Sequence, residues 1–264
     1  MNVFVTGASG GIGYSVVSHL AAQGVRVYAT DITEREMPEG VTFYPADVTS
    51  EADIIAIRDR LAEDGVILDA IINIAGIFAI GSYIETDADT LRRIFEINYL
   101  GAVLVNKTLH KLLKPNGRII ITTSEVAPLT PLPFNSLYSV SKTALDAYAD
   151  GLRQELNLLG QRVITVRPGA FDTDLSRGSL DKTEKLAEST DLYRSQSAKF
   201  YKIVKFFIGK PKHPDKLAPI YYKALTAKHP RLTYTVNRNP LLILMSILPK
   251  RLQCFIIKAL LGGR

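Results

Sequence analysis

The chain has 264 residues, of which 47% are hydrophobic and 22% charged, with a mean hydropathy of +0.09; this composition supports a sizeable core and excludes a disordered or collagen-like polymer. A single cysteine, Cys254, excludes an intrachain disulfide and a Cys-rich zinc motif, and no apolar run approaches the roughly 20 residues that span a bilayer. The net charge of +6 is unevenly spread: residues 1–198 hold 18 Lys/Arg against 25 Asp/Glu, whereas residues 199–264 hold 14 Lys/Arg and one acid, Asp215.

Short apolar runs alternate with amphipathic stretches. Residues 3–5 read as a first strand, and because strand character starts at Asn2 no signal core precedes it; a reducing, cytoplasmic setting is the expectation. A helix over 12–23 follows, then a strand over 25–29, a helix over 52–63, a strand over 70–74 and a helix over 86–113 with a break near Tyr99. A strand over 118–122, a helix over 137–159 and a strand over 162–166 complete the alternation. This order predicts an α/β fold, a doubly wound parallel sheet with helices on both faces. After Pro168 the rhythm changes: 183–207 and 213–228 read as helices, and 239–261 as an apolar segment broken at Pro240 and Pro249. With no linker or repeat, the expectation is one domain over 1–264, in which 1–175 form the core and 176–264 a helical extension.

The first strand runs into Thr6-Gly7-Ala8-Ser9-Gly10-Gly11-Ile12-Gly13 and then a helix. Glycines at 7, 11 and 13 let the backbone turn sharply and approach a pyrophosphate, while the helix N-terminus offers free N–H groups and the positive end of its dipole. Ser9 and Ile12 lie in the same turn. Asp31 follows 18 residues after Gly13, where a carboxylate can accept hydrogen bonds from ribose hydroxyls. A 2′-phosphate would meet its charge, with Arg35 and Arg26 the nearest cations to offset it, so NAD is expected over NADP.

Ser124 ends an apolar strand, and Tyr138-Ser139-Val140-Ser141-Lys142 opens a helix. The i, i+4 spacing places Tyr138 and Lys142 on one face. An ammonium close by favours the phenolate and lowers the phenol pKa from about 10, so the pair can exchange a proton. By spacing alone the two would more often be an ordinary, partly exposed pair.

Taken in order, Thr6-Gly7-x-x-x-Gly11-x-Gly13, Asp47-Val48, Asn73-Ile74-Ala75-Gly76, Asn98, Ser124, Tyr138-x-x-x-Lys142 and Pro168-Gly169 with Thr173 resemble the motifs of the short-chain dehydrogenase/reductase family, over residues 1 to about 175. The resemblance implies a Rossmann-type fold and hydride transfer between a nicotinamide and a carbinol carbon. It makes Tyr138 the general acid/base, has Lys142 lower its pKa and hold the nicotinamide ribose, and has Ser124 bind the substrate oxygen. Asn98 would steady a helix break and a water of the proton relay. Asp47 and Val48 would flank the adenine, Asn73, Ala75 and Gly76 would line the cofactor, and Pro168, Gly169, Phe171 and Thr173 would contact its nicotinamide end. Ile74 and Thr123 depart from the usual residues of their motifs without removing a catalytic group. No metal is expected, since His19, His110, His213 and His229 lack ligand spacing.

In the same family the segment after Pro168-Gly169 builds the substrate pocket. Here it carries Phe171, Leu175, Leu180, Leu186, Tyr193, Phe200, Tyr201, Ile203, Val204, Phe206, Phe207 and Ile208, which suits a bulky apolar alcohol or ketone, steroid-like or long-chain lipid. The stretch 239–252 resembles the tails of the hydroxysteroid and retinol dehydrogenase branch. A 3-oxoacyl-thioester reductase and a non-catalytic dinucleotide sensor are the alternative functions; no motif points to nucleic acid. The expected assembly is a homodimer or homotetramer. Finally, Leu252, Phe255, Ile256, Ala259 and Leu260 follow i, i+3, i+4, i+7, i+8. That stripe either packs on its own domain or a partner subunit, or lies on a membrane with Lys250, Arg251, Lys258 and Arg264 against anionic headgroups.

Overall fold

The computed structural model describes residues 1–207 and 211–262. Seven parallel strands form one sheet in the order β3-β2-β1-β4-β5-β6-β7: β1 is Asn2–Thr6, β2 Arg26–Asp31, β3 Val41–Pro45, β4 Leu68–Asn73, β5 Leu113–Thr122, β6 Arg162–Pro168 and β7 Thr233–Val236. The α/β doubly wound reading therefore holds, with two strands the apolar pattern did not show. The edge strand β3 (VTFYP) is only half-buried, and β7 (TYTV) has four residues and a polar face, so neither carries a continuous apolar run.

Alternation along the central strands splits the core into two layers. Val3, Val5, Ile72, Ile120 and Ile164 face α1 (Gly11–Ala22) and α8 (Ala218–Thr226), meeting Val16, Leu20, Leu217 and Tyr221. Phe4, Ile71, Ile119, Ile121 and Val163 face α2 (Glu51–Glu63), α4 (Gly101–Leu109) and α5 (Ser136–Asn157). In α2, Ser50 caps the first turn by accepting from Asp53 N, and Ile54, Ile57 and Leu61 bury one face at helical spacing.

The expected 86–113 helix is α3 (Ala88–Phe95), a π-helical turn at Glu96–Leu100, α4 and a 3-10 turn at His110–Leu112. The break falls where the sequence placed it, with Asn98 in the wide turn. The expected 183–207 helix starts earlier and is two: α6 (Asp174–Ser189) and α7 (Arg194–Phe207). The cause is Glu85, whose carboxylate accepts from Thr190 Oγ1, Asp191 N and Leu192 N and holds the intervening residues out of helical geometry. Residues 213–228 are a 3-10 turn at Pro214–Lys216 followed by α8.

The aromatic stretch expected to line a pocket mostly builds a core of its own. Leu186, Tyr193, Phe200, Ile203 and Val204 pack with Phe134, Ile80, Ile257 and Leu261, because each needs burial more than an open cleft can supply. Ile208 lies outside the described residues, as do the side chains of Leu175, Phe206 and Phe207. The tail forms α9 (Pro240–Ile247) and α10 (Lys250–Leu261). In α10, Gln253, Ile257 and Leu261 turn inward, so of the sequence stripe only Ile256 is half-buried, while Leu252, Phe255, Ala259 and Leu260 stay exposed. Arg264 lies outside the described residues.

Candidate active site

Strand order reverses between β1, whose neighbour on one side is β2, and β4 on the other, and a crevice opens where the connections leave in opposite directions. A cleft of about 460 Å³ occupies that place, lined by Gly7, Ser9, Gly11, Ile12, Gly13, Asp31, Asp47, Val48, Ala75, Gly76, Tyr138, Lys142, Pro168 and Thr173. Ala46, Arg93, Ile97 and Thr123 are also among its walls.

The glycine turn is set by packing. Gly7 has φ +69°, and a Cβ there would sit 2.6 Å from Ala75 N; a Cβ on Gly13 would sit 1.9 Å from Gly7 O. Helix α1 therefore lies tight against the sheet. Its N-cap Gly10 provides no side-chain cap, so first-turn N–H groups stay open to an anion. At the other end of the turn, Asp31 accepts from Ser9 N at 3.0 Å and from Thr33 N at 3.3 Å. These residues fit a dinucleotide: an uncapped helix N-terminus for the pyrophosphate and a carboxylate one strand away for a ribose. Folding also brings in Arg35, which is not in the glycine turn. It donates to Ser9 O at 3.1 Å and lies 3.5 Å over the Tyr14 ring.

Helix α5 carries Tyr138 and Lys142 into the far end of the cleft. Ser124, buried just past β5, lies near enough to Tyr138 to act on its pKa, and Lys142 Nζ lies 6.0 Å from the Tyr138 ring centroid and donates to Thr122 O at 3.4 Å. Burial raises the Tyr138 phenol above its ordinary value, with Ser124 working against the rise and Glu125 adding to it. Burial lowers Lys142 to about 8. The lowering of Tyr138 that the spacing suggested is thus not the dominant influence in this structure, because desolvation by burial outweighs the influences that lower the phenol.

Other expected site residues act from behind the cleft. Asn98 is fully buried; its Oδ1 accepts from Ile77 N at 2.7 Å, and its Nδ2 donates to Ile77 O and to Ser141 Oγ, both at 2.9 Å, which fixes the Gly76 turn against α5. Asn73 donates to Asn106 Oδ1. Gly169 donates to Val236 O, and Phe171 is buried in the core layer beside α1 and α8.

Three features escaped the motif reading. Glu125, directly after Ser124, is buried; its carboxylate accepts from Asn239 N at 2.6 Å, and burial raises its pKa, with the Asn239 N–H and then Arg238 opposing. The sequence signal is an acid closing an otherwise apolar strand. Arg167 makes a bidentate pair with Asp146 at 3.0 and 2.6 Å, and Thr123 donates to the same carboxylate, tying β6 and α5 beneath Ser124. Arg93 and Ile97 reach the cleft from α3 and the π turn, an i, i+4 pair visible only once the helix is placed.

Comparison with known proteins bears on the family and the fold. The family profile described as short chain dehydrogenase matches residues 1–184. Short-chain dehydrogenase fogD of Aspergillus ruber is 29% identical over 177 residues, 65% of this chain and 62% of that protein, so the chain spans less than two thirds of that relative's length. Estradiol 17-beta-dehydrogenase 2 of Mus musculus is 27% identical over 97% of this chain and 74% of its own. A short chain dehydrogenase from Burkholderia cenocepacia, solved in complex with NADP, superposes with a TM-score of 0.74 at 24% identity, covering 100% of this chain and 98% of that one. With the profile covering most of its length and the glycine turn, Tyr138 and Lys142 meeting in one cleft, the chain belongs to the short-chain dehydrogenase/reductase family.

Proposed function

We propose that the protein is an NAD-dependent oxidoreductase that interconverts a secondary alcohol and a ketone on a bulky, apolar substrate. The observation that carries this reading is that Tyr138 and Lys142 line the same cleft as the glycine turn, with the Phe78 ring 5.0 Å from that of Tyr138. When bound, the nicotinamide supplies or takes up the hydride at the carbinol carbon. Tyr138 gives its hydroxyl proton to the substrate oxygen in reduction and takes it back in oxidation, while the Ser124 hydroxyl holds that oxygen as charge develops. Lys142, beside Gly76 and Thr122, holds the nicotinamide ribose and supports the proton transfer.

Ile77, Leu91, Phe95 and Leu137 pack around Tyr138 and favour an apolar substrate, as does the likeness to an estradiol dehydrogenase. Asp31 favours NAD, and Arg35 is the cation a 2′-phosphate would use. We take the working form as a homodimer or homotetramer in a reducing cytoplasm, a setting compatible with the exposed Cys254. Turnover of steroids, retinoids, long-chain alcohols and 3-oxoacyl thioesters with NAD(H) and NADP(H), read at the reduced-cofactor absorbance, tests the reading. Activity confined to thioesters overturns it. Tyr138→Phe is expected to lower kcat by at least about 10²-fold with cofactor affinity unchanged. Asp31→Ser is expected to raise kcat/KM with NADP by about ten-fold or more, and Arg35→Ala to abolish that gain; wild type preferring NADP would refute the role given to Asp31.

A further inference from the structure

From the exposed face of the tail we infer that α9 and α10 dock on an anionic phospholipid surface. The two helices, joined only by Leu248 and Pro249, expose Leu241, Leu244, Ile247, Leu252, Phe255 and Leu260. No residue of α9 is buried, although eight of its residues carry no charge at all. The arrangement is built and not a frayed end: buried Gln253 donates to Ser246 O at 3.3 Å and Leu248 O at 2.7 Å, closing α9 onto α10, and Ile257 and Leu261 anchor α10 in the Phe134–Phe200 core. The apolar face is therefore held outward by a satisfied inner face.

Charge identifies the occupant. Arg251 and Lys258 are exposed on α10 beside the apolar stripe, Lys202 and Lys205 lie on α7, which packs on α10, and the sequence has no Asp or Glu after Asp215. A second copy meeting this face about a two-fold axis would set Arg251 and Lys258 against their own kind. An anionic bilayer satisfies both parts at once, with apolar side chains at the acyl boundary and cations among headgroup phosphates and carboxylates. Docking is independent of which substrate the enzyme takes, and no helix of the described residues is long and apolar enough to cross a membrane, so the contact is peripheral.

The test is flotation of the full chain with phosphatidylcholine vesicles, with and without phosphatidylserine, at low and high salt. An environment-sensitive fluorophore on Cys254, the only cysteine and exposed on α10, gives a second readout. Wild type is expected to float with the phosphatidylserine vesicles, partly released by salt, with a blue shift of the label. L244E/F255E is expected to lower binding by at least about ten-fold, and R251Q/K258Q by about five-fold per charge with a weaker salt effect. Both alter exposed side chains, and an unchanged Tm confirms the fold. The inference fails if wild type stays unbound at low salt, or if L244E/F255E floats equally well. It also fails if light scattering shows a dimer that L244E/F255E dissociates while neither protein floats.

Discussion

At the scale of single residues, the site holds two ionisable groups under tension from burial. Lys142 is 4% exposed, and its pKa is lowered from 10.5 to about 8 by desolvation alone. In the unfolded chain the same amine keeps its proton up to about 10.5. Between those values the unfolded state binds more protons, so the fold gains stability as pH rises from about 8 to 10.5, and below about 8 the buried cation costs roughly 3 kcal/mol. Lys142→Met, measured without cofactor by urea unfolding, is accordingly expected to be more stable than wild type at pH 7, with the gap closing by about pH 10.5. A gap that persists unchanged at high pH would mean that packing, not charge, sets the difference. The residues that the structure gathers in one cleft stand out in the sequence because each has a fixed spacing: Tyr138 to Lys142, or Gly7 to Gly13. Glu125, Asp146 and Arg167 were not, since their meaning lies in partners far along the chain, Asn239 for the first and each other for the remaining two.

Among elements, strands buried on both faces were legible and edges were not. β1 and β4 carry apolar runs at Val3–Val5 and Ala70–Ile72, whereas β3 and β7 are seen only through their pairing with β2 and β6. The division of α6 from α7 depends on Glu85, about a hundred residues upstream, and no local periodicity encodes it. These two helices close over the loop containing Phe134, a residue with φ +64° whose ring meets Tyr193 and Phe200 edge-on at 5.6 and 5.4 Å. A left-handed conformation costs a side-chain-bearing residue about 1–2 kcal/mol, which the ring packing must outweigh. Phe134→Ala loses the ring but keeps the strain, at about 3–5 kcal/mol, whereas Phe134→Gly loses the ring and relieves the strain. Glycine is therefore expected to be the less destabilising substitution by about 1 kcal/mol, the reverse of its rank in regular structure, as read from denaturation midpoints. Alanine proving the more stable would show that the backbone at 134 is not under strain.

Over the whole molecule, the sheet and the tail divide the work. The cleft lining comes from residues 7–173, whereas the tail is fastened to the body through contacts that include Glu125 to Asn239 N, Lys250 to the Thr130 hydroxyl, and Ile257 with Leu261 in the core around Phe134. The charge split follows the same line, with the excess of Lys/Arg confined to 199–264. If the tail serves substrate capture and the sheet serves the cofactor, weakening one fastening must separate the two functions. Leu261→Asp places a carboxylate in an apolar seam where Leu261 is 8% exposed, unseating the end of α10 at a local cost of about 2–5 kcal/mol. The glycine turn, Asp31 and Lys142 do not touch that seam. The expected outcome is a raised KM for the alcohol or ketone, with NAD affinity by fluorescence titration equal to wild type. Equal losses of cofactor and substrate binding would show that the tail supports the sheet as a whole, and an unchanged KM would show that α10 lies outside the path of the substrate.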